Sequence, residues 1–530
     1  MSKLQRIPII FGITGHRDLR DEDIEIFEEI VTSIFQEFSQ KYPNTPQIVI
    51  SALADGADIL VAKMAQKLQI PLHIILPYAK DEYLLTIDDK ESFGELLDYA
   101  DDVKIIDCIE DERGKHTHCY QLLGQEIADK TNILLALWNG VEEQSDNGGT
   151  ASIVRYQRDS FGENIFDSKD GNAIYIIPTP RKREPNLTPN PKDVKIEYVG
   201  RLNKSSFENN LDKLDMLNSD LAKYKDENSS ISLLERYKKF FGDRAGEKQT
   251  KYRKYMSWML VVIGMAIIFL ETMHVLNGVD ELKSWAGDLI VLYFVLLMIG
   301  FFIYIYYMGR GKLQYDFVYS RGLSEAIRIQ NVWNSIGLKK DISRYYLKDE
   351  PSHLTWMRIV LKNIYYLDSS HYSTFRMWID GQISYLQKGI VEREEKYEFY
   401  EKIEYLSFII GLLSAVGAFV LYFSELYHII SHGHFPMNWH FLVLVSGIAI
   451  LSAGFIKKYQ FIQSYKEERD NFREILPYFQ KASDKLYEDI ETKDRKLLER
   501  IVFDLGKKAL IENSQWVSLH NTRRAKFEME

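Results

Sequence analysis

The chain has 530 residues, of which 46% are hydrophobic and 27% are charged. This composition excludes a disordered or collagen-like chain, and the length predicts three or four structural units. The formal net charge of −10 argues against a general binder of nucleic acid. Two cysteines are too few for a disulfide framework, and no CxxC pair indicates a zinc site.

Strand-like and helix-like segments alternate over residues 1–181. A β-rich run at 6–13 is followed by helical periodicity from Asp21 to Phe38, which Pro43 and Pro46 end. Further strands are predicted at 48–51, 72–76, 103–106, 133–137 and 173–177. Because strands and helices alternate, we expect an α/β domain with a mainly parallel sheet covered on both faces.

Glycine-containing turns follow the first, second and fifth predicted strands. In open α/β sheets, ligands bind beyond the carboxyl ends of strands, and glycines there let backbone N–H groups approach phosphate. Arg17 offers two N–H donors to a phosphate, and Asp55 or Asp58 offers an acceptor to ribose hydroxyls. In the alternative interpretation, Asp58 caps a helix and the glycines only form turns. The turns supply these candidate ligand-binding residues: Gly15, His16, Arg17, Asp55, Gly56, Asp58, Asn139, Gly148, Gly149 and Thr150.

Several motifs in this region resemble, in order, one protein family. GITGHRDL, SALADGADILVAKMA, IILPY, NILLALWNG with a later GGT, and IIPTPR are similar to motifs of the SLOG family. This Rossmann-like group includes DprA/Smf-type DNA-processing proteins and the LOG nucleotide-cleaving enzymes. The resemblance covers about residues 7–181. It implies a Rossmann-like domain that senses a nucleotide second messenger, either a cyclic ADP-ribose isomer or a cyclic oligonucleotide, and it adds Arg181 to the ligand-binding set.

Two departures from the family pattern affect the predicted activity. Ser152 stands where LOG enzymes carry a catalytic glutamate, and Asn139 stands where an aspartate is expected. Since a hydrolase needs a positioned acid or base, we expect a sensor with no catalytic residue, metal or cofactor. A membrane-anchored nucleotide- or NAD-processing hydrolase and a DprA-like nucleic-acid-binding membrane protein are the alternatives.

Four apolar segments follow a linker and helix at 182–236. They lie at 256–276, 285–307, 406–427 and 441–456, and most are long enough to cross a hydrocarbon core of about 30 Å. The alternative is a very apolar water-soluble helical bundle. Lys and Arg flank the outer ends of each pair, whereas the loop within each pair lacks a basic excess. This asymmetry predicts a multi-pass inner-membrane protein with cytoplasmic termini, in which Cys108 and Cys119 stay reduced.

The two pairs of spans look like a repeated hairpin. Each first span ends in a similar phrase, with Glu271 and His274 in one copy and Glu425 and His428 in the other. Carboxylates within a membrane usually face a bundle interior or water, so these four residues are pore candidates. The alternative is a pair of interfacial side chains that reach the headgroups. The histidines between the third and fourth spans are weak evidence for a metal.

Two segments beside the first pair of spans are FGDRAGEKQTKYRKY at 241–255 and YDFVYSRGLSEAIRIQNVW at 315–333. They resemble the helices of SLATT modules, which are two-span membrane effectors often associated with SLOG sensors. The predicted modules are 237–337 and 378–490, joined by a cytoplasmic helical connector at 338–377 and followed by a C-terminal cytoplasmic helix and tail at 491–530. Together the two resemblances imply a homo-oligomeric effector that permeabilises or depolarises the inner membrane in anti-phage abortive infection. A separate enzyme would supply the messenger, and no nucleic acid partner is expected.

Overall fold

The structure is a computed structural model in which the chain divides into two compact units. The first comprises Met1–Tyr237 and Lys339–Ser370, and the second comprises Lys238–Leu338 and His371–Glu530. The described residues are 4–108, 116–142, 148–159, 171–200, 203–224, 232–277, 283–307, 312–338, 340–347, 354–367, 375–427, 439–488 and 495–522.

Seven strands form one sheet among the described residues of the first unit. They are β1 (Ile9–Gly15), β2 (Gln47–Ser51), β3 (Leu72–Leu76), β4 (Asp102–Ile105), β5 (Ile133–Trp138), β6 (Ala173–Pro178) and β7 (Lys195–Tyr198). Their order is β4-β3-β2-β1-β5-β6-β7; β1 to β6 pair in parallel, and β7 is antiparallel to β6. The predicted mainly parallel sheet is therefore confirmed. The linker prediction is wrong where β7 forms, because this short edge strand with exposed side chains carries no strong apolar signal.

Fifteen α-helices are present in the described residues. They are α1 (Ile24–Lys41), α2 (Ala57–Lys67), α3 (Lys80–Leu84), α4 (Lys90–Tyr99), α5 (Thr117–Lys130), α6 (Thr150–Asp159), α7 (Lys204–Lys223), α8 (Leu233–Asn277), α9 (Lys283–Phe302), α10 (Lys312–Ser335), α11 (Thr355–Ile364), α12 (Phe375–Leu426), α13 (Trp439–Gln463), α14 (Tyr465–Glu488) and α15 (Arg495–Thr522). A π-helical turn, Ile303–Tyr307, extends α9.

The central strands of the sheet are buried on both faces, as expected for parallel strands between helices. All five residues of β2 and all six of β5 are buried. Helix α1 packs its apolar stripe on the sheet, where the ring of Phe11 meets Phe35 and Phe38 edge-on at centroid distances of 5.1 and 5.3 Å. Such aromatic pairs contribute roughly 1 kcal/mol beyond their burial. The helix ends at Lys41, just before Pro43, as predicted.

Helix α11, from the predicted connector at 338–377, belongs to the first unit. The buried Lys362 donates through Nζ to the carbonyl of Thr131 at 2.6 Å and to Oδ1 of Asn172 at 2.9 Å. Asn363 donates to the carbonyl of Pro8 at 2.7 Å. These acceptors precede β5, β6 and β1, so α11 packs at the amino ends of the strands. The compact unit therefore extends beyond the domain expected at 1–181.

Cys108 and Cys119 form a disulfide bond. The expectation that both cysteines stay reduced is therefore wrong. The Cα atoms of the two cysteines lie 5.6 Å apart, a separation that a disulfide spans readily. The scarcity of cysteine in the chain carried no information about this local geometry.

Within its described residues, the second unit contains four helices that are long and apolar enough to cross a membrane. They are α8, α9, α12 and α13, and their apolar windows have mean hydropathies of 2.0 to 2.6. At most 22% of any window is buried within the protein, and large side chains such as Phe294 and Phe419 are each 62% exposed. Apolar surface of this extent favours lipid around the helices over a water-soluble bundle.

A buried polar cluster joins four helices outside the apolar segments of the second unit. Glu468 of α14 accepts hydrogen bonds from Nε1 of Trp516 and Nε2 of His520, both on α15, at 2.7 Å each. Arg393 of α12 pairs with the other carboxylate oxygen of Glu468. The guanidinium of Arg321, on α10, lies 4.5 Å from the ring centre of Trp516. These contacts hold the pKa of Glu468 well below its usual range even though burial alone would raise it.

Candidate functional site

A cavity of about 300 Å³ lies in the first unit, where the strand order reverses between β1 and β5. Strands β2, β3 and β4 lie on one side of β1, and β5 and β6 lie on the other. This reversal leaves the crevice in which open α/β sheets bind ligands. Eight of the predicted ligand-binding residues line the cavity: Gly15, His16, Arg17, Asp58, Gly148, Gly149, Thr150 and Arg181. Asp55, Gly56 and Asn139 do not line it.

His16 is a buried hydrogen-bond acceptor at the end of β1. Its Nε2 accepts from the backbone N–H of Asn139 at 3.0 Å, which ties the turn after β1 to the turn after β5. Burial, followed by the charge of Arg181, lowers the pKa of His16. The imidazole is therefore neutral at pH 7, with its proton on Nδ1. Because Nε2 is occupied by this bond, only the Nδ1–H of His16 is left to donate to a ligand.

Arg17 is an exposed cation at the cavity. Its guanidinium lies 5.8 Å from the centre of the Tyr120 ring and donates a long hydrogen bond of 3.5 Å to the carbonyl of Thr86. A hydrogen bond with Tyr120 and the charge of Asp58 also act on the guanidinium. Because the side chain is exposed and has five N–H groups, it still has donors for an anion.

The turn after β2 separates its two aspartates. Both carboxylate oxygens of Asp55 accept from the backbone N–H of Asp88 at 3.1 Å, and one also accepts from Asp89. Asp55 thus holds the loop before α4, whereas the buried Asp58, at the second position of α2, lines the cavity. Burial raises the pKa of Asp58 to about 7, although Arg17 and two backbone N–H groups act in the opposite direction.

Gly56 is required by close packing between two turns. It has φ +77°, and a β-carbon there would lie 2.4 Å from the carbonyl oxygen of Arg17 and 2.6 Å from that of His16. Gly56 is also the residue before the first turn of α2, so the cap is not supplied by Asp58. Because Gly56 has no side chain, the start of α2 can pack closely against the backbone of His16 and Arg17, which follow β1.

The third turn leads into α6. Gly148 has φ +76°, and a β-carbon there would lie 2.5 Å from the backbone of Tyr120. Thr150 begins α6 and is buried. The hydroxyl of Ser152 donates to the carbonyl of Gly149 at 2.8 Å and is not part of the cavity wall. The hydroxyl of Ser152 is therefore engaged by the backbone of its own turn.

Arg181 and Asn139 are held by carboxylates. Nε of Arg181 pairs with Asp18 at 3.0 Å and its Nη1 pairs with Glu184 at 3.1 Å. The amide of Asn139 donates to the other oxygen of Glu184 at 2.7 Å. Arg181 therefore lines the cavity with its charge already paired, which makes it a weaker anion receptor than Arg17.

Sequence reasoning missed several residues of the cavity wall. Tyr83 on α3, Tyr120 on α5, Asp18 and Arg183 all line it. Tyr83 and Tyr120 come from helices rather than from strand ends, and no motif marks them. Asp18 directly follows Arg17, and Arg183 lies two residues after Arg181, so their nearness to predicted residues could have indicated them.

The described pore candidates occupy different environments in the second unit. Glu271 on α8 approaches α13, since a β-carbon at Gly447 would lie 3.4 Å from its carboxyl carbon. Glu425, near the end of α12, is exposed and accepts from Nε1 of Trp439 at 3.1 Å. His274 is exposed, and His428 lies outside the described residues.

No group of His, Cys, Asp and Glu side chains suited to a metal occurs among the described residues. Comparison of the chain with protein-family models gives no match. Comparison with curated proteins also gives no match.

Proposed function

We propose that the chain is a membrane effector gated by a nucleotide second messenger, with a Rossmann-like SLOG sensor and two SLATT-like hairpins. The observation that carries this proposal is the combination of two features in one polypeptide. One is a cavity at the strand reversal with Arg17 on its wall, and the other is a set of four helices long and apolar enough to span a membrane.

The cavity has the size and charge for part of a nucleotide. Its volume of about 300 Å³ is at the lower end of small-molecule sites. Arg17, Arg181 and Arg183 line it, and the charge of Arg181 is partly neutralised by Asp18. Glycines after β1 and before α6 supply backbone close to a bound phosphate. The ligand class is a cyclic ADP-ribose isomer or a cyclic oligonucleotide, from a separate messenger-producing enzyme.

Gating requires that the messenger bind the open arrangement more tightly than the closed one. A 100-fold preference shifts the equilibrium by about 2.7 kcal/mol. Helix α8 is the segment that would transmit the effect of ligand binding, because it begins with residues of the first unit and continues without a break to Asn277, beyond the first apolar segment.

The proposed effector is a homo-oligomer, because four membrane-spanning helices per chain are few for a pore. Opening depolarises or permeabilises the inner membrane and halts growth of an infected cell.

A thermal-shift screen tests the sensor half of this proposal. The purified full-length protein is screened against cyclic dinucleotides, cyclic oligoadenylates and ADP-ribose isomers. We expect one class to raise Tm, and we expect Arg17→Ala to weaken its binding at least about tenfold. Lys67→Ala is the matched control, since this exposed lysine on α2 does not line the cavity. Equal affinity of Arg17→Ala and wild type would exclude the proposed phosphate contact.

One observation favours a second candidate function, a membrane-anchored nucleotide- or NAD-processing enzyme. Asp58 is buried on the cavity wall, and its pKa of about 7 suits a general acid or base at neutral pH. Against this candidate, Ser152 bonds to backbone in place of the LOG glutamate. Product analysis after incubation with NAD and the screened nucleotides distinguishes the two functions. Turnover that Asp58→Asn abolishes would establish the enzyme, whereas binding without turnover supports the sensor.

A further inference from the structure

Tyr83 is a residue of the cavity wall that carries an unexplained buried hydroxyl. Tyr83 is fully buried and lines the cavity wall, and its hydroxyl has no hydrogen-bond partner among the described residues. The ring packs edge-on against Tyr78 and Phe93, at centroid distances of 5.6 and 6.0 Å. Burying an unpaired hydroxyl costs free energy that phenylalanine would avoid in the same ring packing. The oxygen therefore has no structural role within the described part of the chain.

Asp58 and Arg17 lie within electrostatic reach of this phenol. The charge of Asp58 raises the pKa of Tyr83, after burial as the main cause, and Arg17 lowers it. Asp58 in turn accepts from the backbone N–H groups of Ala52 and Ala54, and it lines the same cavity. A phenol, a carboxyl group and a guanidinium thus share one end of the site.

The three groups differ in the ligand atoms that they recognise. A guanidinium binds phosphate oxygens through paired donors, whereas a carboxylate needs a donor such as a sugar hydroxyl. A phenol hydroxyl completes such a contact by donating to, or accepting from, a neighbouring hydroxyl. Inorganic phosphate alone would satisfy Arg17 and would leave Asp58 facing like charge. A ligand with hydroxyls next to a phosphate satisfies all three groups.

We propose that Tyr83 and Asp58 form a sugar-binding end of the cavity, which takes the hydroxyls of a ribosyl phosphate whose phosphate pairs with Arg17. This inference rests on the proposed nucleotide-sensing function and assigns to each side chain the part of the ligand that it contacts.

Calorimetric titration of the full-length protein with ribose 5-phosphate, 2-deoxyribose 5-phosphate and inorganic phosphate tests this assignment. In the wild type we expect ribose 5-phosphate to bind about tenfold more tightly than the deoxy sugar, which lacks one hydroxyl. Tyr83→Phe and Asp58→Asn should each remove most of this preference. Tyr83→Phe should leave the affinity for phosphate within about twofold, and Asp58→Asn should not lower it, because this variant removes a like charge. Arg17→Ala should weaken all three probes.

Thermal unfolding separates a binding role of Tyr83 from a structural one. Tyr83→Phe should keep or raise Tm, because the variant removes only an unpaired buried hydroxyl. Tyr252→Phe is the matched control: Tyr252 lies in the second unit and is 4% exposed, with a hydroxyl that has no partner among the described residues. This control should leave sugar preference unchanged.

Three outcomes would overturn the sugar-binding assignment. They are an undiminished preference for ribose 5-phosphate in Tyr83→Phe, a fall in Tm of this variant, and equal wild-type affinities for the three probes. None of them contradicts nucleotide sensing as such, since the nucleotide screen with Arg17→Ala tests that function separately.

Discussion

The backbone N–H of Asn139 donates to Nε2 of His16 across 3.0 Å, and this bond joins the ends of β1 and β5 at the strand reversal. The bond requires a neutral imidazole, because a protonated ring has no acceptor nitrogen. Burial, followed by Arg181, lowers the pKa of His16 in agreement with this requirement. The two turns that flank the cavity therefore depend on one unprotonated histidine.

The first prediction concerns pH. Since the pKa of His16 is lower in the folded state than its ordinary value of 6.5, the unfolded chain binds more protons just below that pH. Stability should therefore fall as pH decreases from about 6.5 towards the folded-state pKa. His16→Gln keeps an acceptor near the position of Nε2 and does not titrate, so its Tm should depend less on pH between 7 and 5. His16→Ala should lose roughly 1–2 kcal/mol at pH 7. Parallel pH profiles of Tm for wild type and His16→Gln would contradict this account.

The second prediction compares two glycines of positive φ. Gly56 and Gly140 have φ values of 77° and 82°, but only at Gly56 would a β-carbon meet other atoms within 4 Å. Both alanine variants should lose about 1 kcal/mol from the strained backbone. Gly56→Ala should lose a further 1–3 kcal/mol and weaken nucleotide binding, because it displaces the turn of His16 and Arg17. Denaturant unfolding measures the loss of stability, and ligand titration measures the loss of affinity. An equal loss of unfolding free energy in the two variants would contradict the prediction, because it would mean that the close contact at Gly56 has no effect on stability.

The third prediction concerns the polar cluster around Glu468. Glu468→Gln removes the charge that pairs with the guanidinium of Arg393, which leaves a partly buried cation without its counter-ion. Loss of one partner from a buried ion pair costs roughly 3–5 kcal/mol. Thermal unfolding in detergent should show a large fall in Tm for this variant. Glu474→Gln, an exposed position on the same helix, should behave as wild type, and similar Tm values for both variants would refute the structural role of Glu468.

The fourth prediction separates the two carboxylates predicted to line a pore. Glu271 lies against Gly447 of α13, whereas Glu425 is exposed and already accepts from Trp439. If the spans conduct cations, Glu271→Gln should reduce the cation preference and Glu425→Gln should leave it nearly unchanged. Reversal potentials across planar bilayers under a salt gradient measure this preference. Equal effects of the two variants would place both carboxylates in the same role.

The fifth prediction concerns the disulfide between Cys108 and Cys119. Closing this short loop restricts the unfolded chain, so reduction should lower the free energy of unfolding of the first unit by up to about 3 kcal/mol. A double Cys108→Ser, Cys119→Ser variant should show the same loss and no further response to reductant. Identical unfolding of wild type with and without reductant, together with full reaction of both thiols in the folded protein, would exclude the bond.

Much of the sheet was predictable because buried parallel strands are continuous apolar runs, as in β2 and β5. The convergence of Gly15, Arg17, Asp58 and Gly148 followed from one rule, that parallel strands share a carboxyl edge. The apolar segments were equally predictable from the sequence, because the mean hydropathy of about 20 consecutive residues does not depend on tertiary contacts.

The remaining features depend on tertiary contacts that leave no local pattern. Lys362 is buried only because the backbone ahead of β5 offers it an acceptor, so the packing of α11 on the sheet could not be inferred from its sequence. Asp55 and Asp58 belong to one motif, yet Asp55 binds the loop before α4 while Asp58 faces the cavity. Spacing alone does not say which of two neighbouring carboxylates a loop will use.

If the proposed function is right, nucleotide binding in the first unit changes the permeability of a membrane that holds the protein. The most direct measurement is ion flux from vesicles that contain the full-length protein, with the nucleotide from the binding screen added outside and inside. The account predicts nucleotide-dependent flux that Arg17→Ala abolishes and Lys67→Ala retains. Tight nucleotide binding to the reconstituted protein without any change in flux would contradict it.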